Sequence, residues 1–139
     1  MIVSGQKVVD WVMEGETLPT FGKIIGIGVE KEGKIVAGVI FSDYNGANIC
    51  MHVRSDKSKK WLSREYLNAI FDYAFNVANV TRITGLVSED NEEAQRFDEH
   101  VGFQLETRLK DAHPKGDLLI YRMYRNECRW IRNDHGNVQ

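Results

Sequence analysis

Several features are scarce or missing in this sequence, and each absence narrows what the chain can be. Cysteine occurs twice, as Cys50 and Cys128, far apart and at unremarkable spacing. That argues against a disulfide framework and predicts two free thiols. No apolar run approaches the length needed to cross a bilayer. The opening residues, MIVSGQKVVDW, lack the apolar core of a signal peptide, so a cytoplasmic protein without a membrane partner is expected. Formal net charge is only −2, from 18 basic and 20 acidic residues, so no global field draws the chain to nucleic acid or membrane. Proline occurs only at Pro19 and Pro114, and no repeat, linker or low-complexity tract divides the chain. A length of 139 residues, 42% hydrophobic and 27% charged, therefore fits one globular domain over 1–139.

What is present is hydrophobic patterning in a readable order. Val8, Val9 and Val12 share one side of a predicted helix over 6–13, and Gly15 is placed to end it. Pro19 marks a connector. Strands are predicted over 23–30 and 35–42, joined at Glu32-Gly33. A third, over 47–54, follows the hairpin signal Asn45-Gly46. These three form an antiparallel meander. The third alternates: Ile49, Met51 and Val53 face the core, while Asn48, Cys50, His52 and Arg54 face a side polar enough to border a cleft.

A basic loop with Lys57, Lys59 and Lys60 comes next, then a helix with Ser63 as its N-cap. Leu67, Ile70, Phe71, Ala74 and Ala78 give that helix one buried face. Free amides, the helix dipole and the lysines together make an anion site; a solvated loop before a core helix is the plainer alternative. Residues 80–88, VTRITGLVS, are apolar on both faces, as in a covered central strand parallel to the third. A helix over 91–100 uses Ala94, Phe97 and Val101, and Gly102 ends it. Strands over 103–110 and 118–124 follow, with a loop over 111–117 between them. The polar tail over 126–139 is expected to fray.

Helix, three antiparallel strands, helix, strand, helix and two strands, with a basic loop before the central helix, resembles the GNAT superfamily of acetyl-CoA-dependent N-acetyltransferases. The residues that carry the resemblance lie between His52 and Phe103. The family's phosphate loop, Q/R-x-x-G-x-G/A, falls on Ser58, Lys59, Lys60, Trp61, Leu62 and Ser63. Its later Asn, Ala and Gly-Phe fall on Asn91, Ala94, Gly102 and Phe103. The segment WLSREYLNAIFDYAF is similar to the RimL-like and prophage-associated branch.

The resemblance implies an α/β (α+β) fold, a mixed and mostly antiparallel sheet of about six strands with helices on both faces. It implies acetyl-CoA as cosubstrate, no metal, and a primary amine that attacks the thioester directly. Met51, His52 and Val53 would lie along the acyl and pantetheine arm. Ser58, Lys59, Lys60, Trp61, Leu62, Ser63 and Arg64 would hold the pyrophosphate, and Asn91 would contact the cofactor. Many relatives are dimers, so a homodimer is an open expectation. Two positions depart from the pattern. Trp61 and Ser63 replace the loop glycines, which let a backbone approach phosphate closely, and the lysines supply charge instead. Asp98 stands where the family often has the tyrosine that protonates the leaving thiolate.

The chemistry asks for few side chains: a base for the amine proton, a proton for the sulfur, and donors to the thioester oxygen. His52 titrates near neutrality and is the candidate base, against the plainer reading of a half-exposed strand histidine. Asp98, beside Arg96 and Glu99, reads as a solvated carboxylate, ionised at pH 7 and not the acid. Tyr66, Tyr73, Tyr121 and Tyr124 are unranked replacements. Glu89 and Asp90 read as the decorated end of a strand, and Cys50 as a packed thiol. His100, His113 and His135 lack metal-ligand spacing. Arg122, Arg125, Arg129 and Arg132 interleave with Tyr121, Tyr124 and Trp130. That pattern suits the outward side of a last strand or a nucleic-acid surface. It keeps open a non-catalytic nucleic-acid-binding module on this scaffold, beside an acyl-CoA-binding module without turnover.

Overall fold

A computed structural model describes residues 1–15, 23–56 and 62–131. Local turn chemistry starts the sheet. Glu32 and Gly33 both take positive φ, 51° and 79°, as a tight hairpin with the strand twist requires. They join β2 (Ile25–Lys31) to β3 (Lys34–Ser42). In the next turn the Asn45 side-chain oxygen accepts the Ala47 and Asn48 amides at 2.9 and 2.8 Å, leading into β4 (Asn48–Ser55). The meander read from the sequence is therefore present, with ends shifted by one or two residues.

The remaining elements are β1 (Ile2–Ser4), α1 (Gln6–Met13), α2 (Arg64–Asp72, continued by a π-helical turn over Tyr73–Val77), β5 (Arg82–Ser88), α3 (Glu92–Val101), β6 (Gln104–His113) and β7 (Gly116–Tyr124). They build a seven-stranded sheet in the order β1-β2-β3-β4-β5-β7-β6. Its β4–β5 neighbours run parallel and the others antiparallel. About six strands were expected; the extra one is β1, whose three residues are too short to show a period. The loop expected over 111–117 is also shorter, because the Asp117 carboxylate accepts the Asp111 amide at 2.9 Å and lets the strands continue to His113 and Gly116.

Helices cover both faces. Val8, Val9 and Val12 of α1 pack with Ile40 on one face. Gly38 makes that contact close: a Cβ there would lie 2.7 Å from Val12. On the other face, α2 and α3 close the main core over Val39, Met51, Ile83 and Tyr121. The end of the chain joins this core too. Cys128 and Ile131 are buried, and the Trp130 indole donates to the Val101 carbonyl at 2.7 Å. The frayed tail expected from residue 126 is thus packed as far as Ile131. Among the described residues no helix is long and apolar enough to cross a membrane.

Candidate functional site at the fork between the central strands

Parallel strands β4 and β5 pair from Asn48–Arg82 to Met51–Gly85, and among the described residues no pairing between them follows. Both strands run on. β4 stays bonded to β3 as far as Ser55, and β5 to β7 as far as Ser88. Their facing edges therefore diverge and turn backbone polar groups into a gap. The cleft so formed is lined by Met51, His52 and Val53 of β4 and by Leu86, Val87 and Ser88 of β5. Asn91, Ala94 and Asp98, on and just before α3, and His113, at the end of β6, complete it.

His52 is buried, not half-exposed. Its Nε2 lies 3.3 Å from the Ser42 hydroxyl, which lies 2.7 Å from Oδ2 of Asp43. A carboxylate only accepts, so the single Ser42 proton goes to Asp43. The Ser42 oxygen must then accept from His52 Nε2–H. This chain places the proton on Nε2 and leaves Nδ1 as the basic nitrogen. Burial lowers the His52 pKa, and the negative charge of Asp43 partly opposes that shift. The ring is neutral at pH 7 and able to take a proton. His113 was set aside on the sequence and belongs here. Its Nδ1 accepts the Lys115 amide at 3.0 Å, so the ring proton sits on Nε2, which can donate. No motif marks it; only the β6–β7 hairpin carries it to the fork.

Asp98 overturns its reading as a solvated carboxylate. It is 2% exposed, and among the described residues its Oδ1 has no hydrogen-bond partner. The reason lies in the helical period: Asp98 falls four residues after Ala94 and three before Val101, both buried. Arg96 and Glu99 point elsewhere. Arg96 pairs with Glu92 at 3.6 Å, and Glu99 accepts the Tyr121 hydroxyl at 2.8 Å. Burial first, and the Glu99 charge second, hold the Asp98 carboxyl well above the usual carboxylate range. The spacing from Ala94 was the available signal. None of the four candidate tyrosines lines the cleft. Tyr66 donates to the Ile27 carbonyl at 2.8 Å, and Tyr121 is engaged by Glu99.

Of the expected phosphate loop, Ser58, Lys59, Lys60 and Trp61 lie outside the described residues, as does Lys57. Ser63 caps α2, accepting the Tyr66 amide at 3.1 Å. Leu62 packs at the core edge, and the Arg64 guanidinium stacks over Trp130 at 5.5 Å. These three do not line the cleft. Asn91 does; its side-chain oxygen caps α3 through the Ala94 amide at 3.1 Å, which leaves the amide NH2 for a ligand.

Three of the arginines in the cluster are engaged by neighbours within the chain, although Tyr124 and Arg129 stay exposed. Arg122 bonds Glu127 and Gln104, Arg125 bonds Asn76 and Asn79 at 3.0 Å each, and Arg129 bonds the His100 carbonyl at 2.6 Å. Arg132 lies outside the described residues. Both cysteines are free thiols. Among the described residues, no group of His, Cys, Asp or Glu is placed to hold a metal.

Known proteins share this architecture. No curated protein matches the sequence significantly. Among solved structures, a probable acetyltransferase superposes with a TM-score of 0.65 at 17% identity, over 75% of this chain and 63% of its own. The Vibrio cholerae spermidine N-acetyltransferase, in complex with CoA and spermine, gives 0.64 at 18% identity, over 75% and 67%. A GNAT-family acetyltransferase from Bacillus anthracis gives 0.62 at 20%, over 76% and 68%. The chain thus spans under two thirds of the probable acetyltransferase. The acetyltransferase (GNAT) domain family matches residues 22–123, most of this sequence, so the chain belongs to that family.

Proposed function

We propose that the protein transfers the acetyl group of acetyl-CoA to a primary amine, and that His52 takes the amine's proton. The observation that carries this reading is a buried His52 at the fork where β4 and β5 part, with its Nε2 beside the Ser42 hydroxyl. The thioester arm runs along Met51, His52 and Val53. Unpaired backbone amides at the fork polarise its carbonyl oxygen. The pyrophosphate sits at Ser58, Lys59, Lys60, Trp61, Leu62, Ser63 and Arg64, where lysine charge and the first turn of α2 act together. Asn91 contributes its side-chain NH2. The amine nitrogen attacks the thioester carbon, the C–S bond breaks, and His52 removes the proton that the new amide must lose.

Two measurements test the reading. Calorimetry should show acetyl-CoA binding that weakens with salt, and changing Lys59 and Lys60 together to Ala should weaken it about tenfold or more, since charged contacts contribute roughly 1–3 kcal/mol each. Free-thiol release from acetyl-CoA should then rise with at least one member of an amine panel. Spermine, bound by the Vibrio cholerae neighbour, is the natural first member. A wild-type protein that ignores acetyl-CoA would sink the proposal.

A further inference from the structure

We propose that Asp98 is the proton donor to the departing coenzyme A sulfur, an inference that rests on the acetyl-transfer reading above. Three geometric facts carry it. Asp98 lines the cleft and lies directly over the fork point: its Oδ2 stands 3.0 Å from where a Gly85 Cβ would be, and Gly85 is the last β5 residue paired with β4. Asp98 is buried, and among the described residues its Oδ1 has no hydrogen-bond partner. Among the described residues no side chain pairs with it as an ion pair, and the like charge of Glu99 acts on it unfavourably.

An ionised carboxylate in such a place is disfavoured, because burial strips its hydration without a cationic partner. A neutral carboxyl still carries an O–H donor, and a buried donor without an acceptor also costs free energy. The arrangement is resolved when an acceptor enters the cleft. The thioester sulfur is such a group as it gains charge. His52 and Asp98 stand on opposite faces of the sheet, because His52 belongs to the polar side of β4 and α3 covers the other. Amine and sulfur can therefore be served from two sides of one carbonyl.

The step balances. Nitrogen bonds the carbonyl carbon as its proton passes to His52 Nδ1. The C–S electron pair goes to sulfur, which takes the Asp98 proton and leaves as the thiol. The proton held by His52 returns through water to the Asp98 carboxylate, and both groups are reset.

The whole chain serves for the test. Infrared difference spectra at neutral pH should show a protonated carboxyl band in the wild type, absent in Asp98→Asn, that shifts when acetyl-CoA is added. Kinetics supply a second reading. Asp98→Asn should slow transfer from acetyl-CoA by about 100-fold or more. It should leave transfer from p-nitrophenyl acetate, whose leaving group departs without a proton, nearly unchanged. A purely structural role would slow both donors alike and would overturn the inference. So would a carboxyl band that is missing at neutral pH, or one that bound acetyl-CoA leaves unmoved. Failure of acetyl-CoA to bind by calorimetry would instead overturn the acetyl-transfer reading, and this role with it.

Discussion

His52 and Asp98 meet the same cleft from opposite faces of the sheet, and burial pushes both toward their neutral forms, lowering the His52 pKa and raising that of Asp98. They differ in how the fold treats that neutrality. His52 is completed: Ser42 and Asp43 hold one nitrogen, select the tautomer and offset part of the burial. Asp98 is left incomplete, with a buried oxygen that nothing in the described protein satisfies. A satisfied group is ready in the free protein, whereas an unsatisfied one waits for what enters the cleft. The contrast teaches that equal burial does not mean equal role.

The largest expected effect breaks the completed side. Changing His52 to Gln should lower the rate of acetyl transfer by about 10²–10⁴-fold, the usual contribution of a positioned base, while acetyl-CoA affinity measured by calorimetry is retained. A loss below tenfold would remove His52 from the chemistry.

Next comes the packing that holds Asp98 over the fork. A Cβ at Gly85 would stand 3.0 Å from Asp98 Oδ2. Gly85→Ala should therefore destabilise the fold by about 1–3 kcal/mol in denaturant titration. In an Asp98→Ala background that cost should fall, since the two sites share one space. Equal costs in both backgrounds would show that they are not coupled.

Asp43 sharpens the other side. Its charge favours protonated His52. Asp43→Asn should therefore lower the His52 pKa further and move the acid limb of the pH–rate profile to lower pH. A limb that stays in place would mean that His52 is not the group titrating there.

The smallest effect lies in stability against pH, where the two groups carry opposite signs. Asp98 is raised above its ordinary 3.8, so its contribution is full below that value and is lost as pH rises through the folded pKa. His52 is lowered below 6.5, so its contribution is present above that value and is lost as pH falls through the folded pKa. In thermal melts across pH, Asp98→Asn should flatten the alkaline decline and His52→Gln the acid one. Parallel curves for both variants would contradict the assigned shifts.

Much of the architecture is legible in the sequence because its determinants are local. Glu32-Gly33 and Asn45 make their turns, Ser63 and Asn91 cap their helices, and Gly102 ends α3 at a φ of 117°. Each acts through bonds reaching four residues or fewer, so one sequence window contains cause and effect. Alternation likewise separates Met51 from His52 on β4. The order of elements follows, and with it the family resemblance.

The site is less legible, because its determinants come from distant segments. The fork requires β4 to stay with β3 while β5 stays with β7, which no window of sequence contains. Ser42 and His52 meet across ten residues, and His113 arrives from a separate hairpin. The burial of Asp98 follows from helical phase, which sets it with Ala94 and Val101 against the sheet, where its charge alone would point to solvent. Hydrogen bonds within the chain also engage Arg122, Arg125 and Arg129, which in sequence look like a free basic surface. Sequence by itself determined the elements, their caps and their order, since these rest on short-range backbone and hydrogen-bond preferences. Tertiary structure alone decided which strands part, which acid is buried and which histidine nitrogen is basic, since solvent exclusion and proton placement depend on neighbours brought in from afar.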